Sequence, residues 1–236
     1  MASRAMQEPQ ENLIQFHSGV TGLADPHPYR AAGNIPEWLK LMPTLAPVPE
    51  GSIATLKNCL PFVDAMGCGY IIPLRATVRF TRRDAVTLEY EHANWEAHGN
   101  AVTHQPAQGY QGAPFQRSIV VKFINHWIVK TPPGYSTLFV PLLNQQDAPF
   151  QMLAGLVDTD TYYRPVFFPA LCLMQPGTQC ILERGSPLVQ AIPVRRDVWK
   201  SQCLPVDSEK YQAAEAHSVE NIHHYRDDNW QKKEYR

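Results

Sequence analysis

The stretch GYIIPLRATVRFTRRDAVTLEYEHANWEAHGN, residues 69–100, consists of short runs of Ile, Val, Phe, Tyr and Thr broken by Gly, Pro and charged residues. β-Branched and aromatic side chains suit a pleated, half-buried backbone, and no run repeats its apolar residues at helical spacing. The stretch predicts strands over Gly69 to Leu74, Ala76 to Phe80 and Ala85 to Glu91. The same punctuation continues to Val198, with further strands expected at Ser118 to Ile124, Thr137 to Pro141, Val166 to Leu173, Thr178 to Leu182 and Leu188 to Pro193. Pro132-Pro133-Gly134 and Pro176-Gly177 read as turns, where Pro fixes φ and Gly accepts a positive one. The expectation is an all-β core over residues 51–200, a compact barrel or sandwich of jelly-roll-like type without helices.

On either side the pattern changes. Residues 1–50 carry Pro9, Pro26, Pro28, Pro36, Pro43, Pro47 and Pro49, which predicts an irregular wrap. One short helix fits there, capped by Asn34, with Pro36 in its first turn and Trp38, Leu39, Leu41 and Met42 on its apolar side. In the tail, residues 207–236, Asp207 or Ser208 can cap a helix whose weak apolar stripe is Tyr211, Ala214, Val219, Ile222 and Tyr225.

Composition sets the outer limits. Of 236 residues 44% are hydrophobic and 18% charged, enough apolar material for a packed core. With 21 Lys+Arg against 22 Asp+Glu the formal net charge is −1, so neither duplex nucleic acid nor an anionic membrane is expected as a partner. No apolar run reaches the roughly 20 residues of a membrane helix, and no secretory signal is evident, so a cytoplasmic setting is expected. The five cysteines show no C-x-x-C spacing and read as buried thiols rather than a disulfide framework or a thiolate zinc site.

Two patterns carry candidate chemistry. In His92, Asn94, Glu96, His98 and Asn100, polar residues alternate with Ala93, Trp95, Ala97 and Gly99. A strand sends the two sets to opposite faces. If the polar face lines a barrel, Glu96 and His98 with His92 or His104 offer the two-imidazole, one-carboxylate set of a non-haem iron or zinc site. If Trp95 faces the core, the same histidines are simply solvated. The second pattern is Asp158, Thr159, Asp160 followed by Tyr162, Tyr163 and Arg164. There a carboxylate can orient a water, a ring can stack on a planar substrate and a guanidinium can meet a phosphate. The same residues also make an ordinary turn in which the aspartates bond backbone. Among the basic residues, Arg75, Arg79, Arg82, Arg83, Arg195, Arg196 and Lys200 are candidates for phosphate oxygens or solvated strand ends.

Residues 131–195 resemble the trimeric deoxyuridine triphosphatase and deoxycytidine triphosphate deaminase superfamily. The resemblance rests on Pro132-Pro133-Gly134-Tyr135, Gly155-Leu156-Val157-Asp158-Thr159-Asp160, Tyr163-Arg164 and Gly185-Ser186-Pro187-Leu188-Val189-Gln190, in that order. It implies a β-clip fold, with Asp158 orienting a water, Tyr163 stacking on a base, Gln190 and Tyr135 near a small-molecule substrate, and a homo-oligomer, a trimer in that family. A nucleotide substrate would bring Mg with it; the alternative His/Glu/His site would bring Fe or Zn. This chain departs from the family pattern in having Thr161 and Tyr162 before Tyr163-Arg164 and no Arg-Ser-Gly after Tyr135. A looser resemblance is to an uncharacterised bacterial and phage domain family, which implies no activity. Three functions follow as expectations: a diverged β-clip enzyme acting on a nucleotide-like or other planar small molecule, a metal-dependent oxygenase-type enzyme, and a non-enzymatic oligomeric assembly or binding protein.

Overall fold

The computed structural model describes residues 12–19, 26–93, 99–145, 148–221 and 223–236. They fall into two compact units, the first running to Tyr29 and again over Gly69–Arg196, the second made of Arg30–Cys68 and Asp197–Arg236.

The first unit is all-β and antiparallel. Its largest sheet has five strands in the order Gly155–Val157, Tyr135–Val140, Pro187–Arg195, Tyr70–Pro73 and Tyr29–Arg30. A four-stranded sheet runs Phe150–Met152, Phe168–Cys172, Val120–Phe123, Val102–His104, and a three-stranded one Thr178–Leu182, Val78–Arg82, Leu88–His92. Gln15–Ser18 pairs with Trp127–Lys130. Among the described residues these sheets do not close into a barrel.

Side-chain alternation explains the layering. Val78 and Phe80 are fully buried while Arg79 between them is exposed, and Phe168–Cys172 buries every second residue. Tyr70–Pro73 buries Ile71, Ile72 and Pro73 in succession, as a strand covered on both faces must. The core centres on Phe80, whose ring lies 4.5 Å from Phe150 and 6.2 Å from Phe123. Both expected Pro-Gly turns form, with Gly134 at φ +85° and Gly177 at φ +80°.

The strand expected at Thr178 to Leu182 occurs with those bounds. Others shift by a few residues, and the three-residue strands Val102–His104, Phe150–Met152 and Gly155–Val157 are too short to announce themselves. One expectation fails outright. Within the region read as strands only, Leu60–Gly67 is an α-helix, with a proline in its first turn where a missing N–H costs nothing. The cysteines also depart from expectation: Cys59 and Cys203 are exposed and only Cys172 is fully buried.

The second unit holds the helix Glu37–Leu41, the hairpin Leu45–Val48 with Gly51–Ala54, Leu60–Gly67 and the helix Ser208–Glu220. The first helix starts after Pro36 without a side-chain cap, so Asn34 does not cap it. Leu39 is buried, whereas Trp38 and Leu41 are exposed. Asp207 caps the helix Ser208–Glu220 by accepting from the Lys210 amide at 3.2 Å, and no described residue of that helix is buried. Asp64 accepts from Trp230 Nε1 at 2.8 Å and from Lys233 Nζ at 2.7 Å, which ties the tail to Leu60–Gly67. Among the described residues no helix is long and apolar enough to cross a membrane.

Candidate functional site

The acidic turn sits at one end of the five-stranded sheet. Gly155–Val157 pairs with Tyr135–Val140, Thr137 standing opposite Val157, and the chain then turns with the Tyr162 amide donating to the Asp158 carbonyl at 2.9 Å. Thr159 points inward and is 1% exposed. Its hydroxyl meets those of Thr131 at 2.7 Å and Thr137 at 2.8 Å, so three buried hydroxyls satisfy one another.

The two aspartates that flank Thr159 differ sharply. The Asp160 side chain is 6% exposed. Both of its oxygens accept from Arg196, Nη1 to Oδ1 at 3.0 Å and Nη2 to Oδ2, and Oδ2 also accepts from the Gly134 amide at 2.9 Å. The Arg196 hydrogen bonds, helped by that amide, hold its carboxyl down at about 2. Lys130 Nζ donates to the Asp160 backbone carbonyl. Asp158 is 65% exposed; its Oδ1 accepts from Ser136 Oγ at 2.7 Å and lies 3.3 Å from Arg196 Nη1. Asp160 is thus an anchoring carboxylate with its lone pairs engaged, and Asp158 is a surface carboxylate.

The other candidates divide in the same way. Tyr162, Tyr163 and Arg164 lie on the surface, Tyr162 44% and Tyr163 56% exposed, with the Tyr163 ring 5.6 Å from that of His17. Tyr135 donates its hydroxyl to Asn12 Oδ1 at 3.1 Å. Gln190 is 1% exposed, and its Oε1 accepts from the Leu143 amide at 3.2 Å. Tyr135 pairs with Arg195 and Val140 with Gln190. That register puts Gln190 five residues, roughly 17 Å, along the strand from the end that carries the turn. The sheet therefore brings Asp158, Asp160 and the Tyr135 backbone together and sets Gln190 apart. Thr159, already part of the Asp158-Thr159-Asp160 pattern, completes the cluster together with Arg196 and Ser136, which the sequence does not single out as its members. The only signal for these two is the run Arg195-Arg196 just past an expected strand.

Of the candidate metal ligands, Glu96 and His98 lie outside the described residues. His92 ends the strand Leu88–His92, and its Nε2 accepts from the Val102 amide at 3.2 Å. Burial pushes its pKa below the usual histidine value, and that nitrogen is already engaged. The Tyr90 ring packs against both His92 and His104, at 5.6 and 4.9 Å between centroids. Among the described residues no three His, Cys, Asp or Glu side chains converge as a metal site.

No family model matches the chain, and no curated protein matches it. Among solved structures it is similar to the native EIAV dUTPase, at 6% identity and a TM-score of 0.37 over 83% of this chain and 98% of that one. It is also similar to a mutant of the Staphylococcus bacteriophage 80alpha dUTPase with dUpNHpp, at 11% identity and a TM-score of 0.37 over 83% of this chain and 97% of that one. A second mutant of that phage dUTPase gives 12% identity and a TM-score of 0.31 over 59% of this chain and 76% of that one. Scores this low establish no family membership, and what can be said of function stands on this chain's own residues.

Proposed function

We propose that the chain is a non-enzymatic assembly protein that self-associates through the face made by strand Gly155–Val157 and the residues after it. The observation that carries this reading is a concentration of large exposed side chains: Leu156 at 62%, Tyr163 at 56%, and Tyr162 and Phe167 at 44% each, all within a dozen residues. Scattered exposed apolar residues need no explanation, but four large ones within one short stretch of chain favour a partner. Gly155–Val157 is also the outermost strand of its sheet, so it offers unpaired backbone groups beside Leu156. A second copy of the chain is the occupant this edge suits, because the apolar rings and the free edge are self-complementary under two-fold or cyclic symmetry. The stapled turn beneath supplies rigidity, which lowers the entropy lost on association.

Sedimentation velocity of the full chain at micromolar concentration tests the reading. The native protein is expected to sediment as an oligomer, and Leu156→Asp as a monomer with an unchanged circular dichroism spectrum. A native monomer would overturn it.

A second reading, a small-molecule enzyme with Asp158 activating a water and a tyrosine stacking on a planar substrate, is favoured by one observation. Asp158 Oδ2 has no hydrogen-bond partner among the described residues, and the exposed Tyr162 and Tyr163 follow in the same turn. Nucleotide-induced thermal stabilisation that disappears in Asp158→Asn would select that reading over assembly alone.

A further inference from the structure

The bend between strands Tyr70–Pro73 and Val78–Arg82 holds Arg75, flanked by Leu74 and Ala76, which are 1% and 0% exposed. Arg75 is itself partly buried. Its Nε is sealed from solvent with no acceptor, and among the described residues its guanidinium has neither hydrogen bond nor ion pair. The guanidinium stands on the side of Gly99 where a side chain would project. A Cβ placed on that glycine would stand 3.7 Å from Nη2 and 3.9 Å from both Cζ and Nη1. With Nε sealed, any compensation has to arrive at Nη1 and Nη2, beside the side-chain-free Gly99.

The neighbouring connection, residues 183–186, brings this cation no counter-charge among the described residues. The Gly185 amide donates to the Leu74 carbonyl and the Leu74 amide to the Ser186 carbonyl, both at 2.8 Å, and the Arg184 amide donates to Thr77 Oγ1 at 2.9 Å. Within residues 74–77 and 183–186 the one carboxylate is that of the exposed Glu183, and no ion pair joins Glu183 to Arg75. A guanidinium stays charged in proteins, and removing it from water without a counter-charge is unfavourable. Elsewhere in the same unit arginines find carboxylates: Arg196 takes Asp160 and Asp158, Arg83 takes Glu89, and Arg79 lies 3.9 Å from Glu91.

We propose that Arg75 is the anchor of an anion-binding site whose ligand is an oxyanion, a phosphate or a carboxylate group on a small molecule. The planar fork of two parallel N–H donors matches the two oxygens of either group. The acidic turn takes no part, since its own arginine is fully engaged.

Thermal unfolding of the full chain in inorganic phosphate, in acetate and in chloride at equal ionic strength tests this. The native protein is expected to gain several degrees saturably over chloride in at least one oxyanion, and whichever of the two acts identifies the ligand group. Arg75→Gln is expected to lose the gain. Gly99→Asp would set a carboxylate within reach of the guanidinium and should fold but respond to neither anion. Gly99→Asn, with the same positive-φ demand and no charge, should respond as the native protein does. Equal melting in all three salts overturns the proposal, as does a full oxyanion response in Arg75→Gln or in Gly99→Asp.

Discussion

Two corners of the first unit each bury part of an arginine, and they treat it in opposite ways. At the acidic turn Arg196 meets both oxygens of Asp160, one of Asp158 and the Ser136 hydroxyl. At the bend after Pro73, Arg75 has neither hydrogen bond nor ion pair among the described residues, and its guanidinium faces the side-chain-free Gly99. The difference teaches that charged residues of one type, in one small domain, divide between holding the fold and waiting for a ligand. What decides is whether the strand register delivers a counter-charge. Tyr135 opposite Arg195 brings the end of the long strand Pro187–Arg195 up to the turn, so Arg196 falls beside Asp160. Among the described residues no pairing brings an acid to Arg75.

This contrast is open to direct attack. Its largest expected consequence is at the stapled corner. Asp160→Ala removes the acceptor of two Arg196 hydrogen bonds and of the Gly134 amide from a site 6% exposed. It should cost about 2–3 kcal/mol in chemical denaturation, as the loss of charge-assisted hydrogen bonds does. A loss within error of zero would show that the pair is decorative.

A smaller effect is expected in acid. Asp160 in the folded chain is held at about 2, below the ordinary 3.8. A lowered folded-state value means that the unfolded chain takes up the proton first, so this contribution is present above the ordinary aspartate value and is lost as pH falls from about 5 towards 2. Melting temperature should decline over that window, and Asp160→Asn should flatten the decline. An identical acid limb in the variant would place the titration elsewhere.

The smallest effect is expected at the other corner. Arg75→Gln removes a charge that nothing in the described chain compensates, so melting in chloride should stay unchanged or rise, within about 0.5 kcal/mol of native. Together with the loss at Asp160, that result would make the two corners differ in sign. A loss at Arg75 as large as that at Asp160 would erase the comparison.

The fold was legible wherever local chemistry decides it. Thr178 to Leu182 could be delimited because a Pro-Gly turn precedes it and β-branched and apolar residues follow, and Asp207 could be recognised as a cap because its side chain acts three residues away. The helix Leu60–Gly67 escaped because eight residues carry little periodicity, and Pro61 reads equally as a strand breaker and as a first-turn residue. The acidic turn was legible as a unit; its inner wiring was not. Asp160 and Arg196 are 36 residues apart and meet only through sheet register, which no local pattern encodes. Gln190 shows the converse. It sits in a motif of the expected kind, yet it is itself buried and its amide oxygen accepts from the half-buried Leu143 backbone, where leaving that N–H unpaired would be costly.

The central claim is that the turn is a rigid support for a self-association face rather than the seat of an activated water. The most direct test is the solution mass of the full chain by light scattering, measured on the native protein, on Leu156→Asp and on Asp158→Asn. The account predicts an oligomer for the native chain and for Asp158→Asn, and a folded monomer for Leu156→Asp. A monomeric native chain, or an oligomer that survives Leu156→Asp, would contradict it.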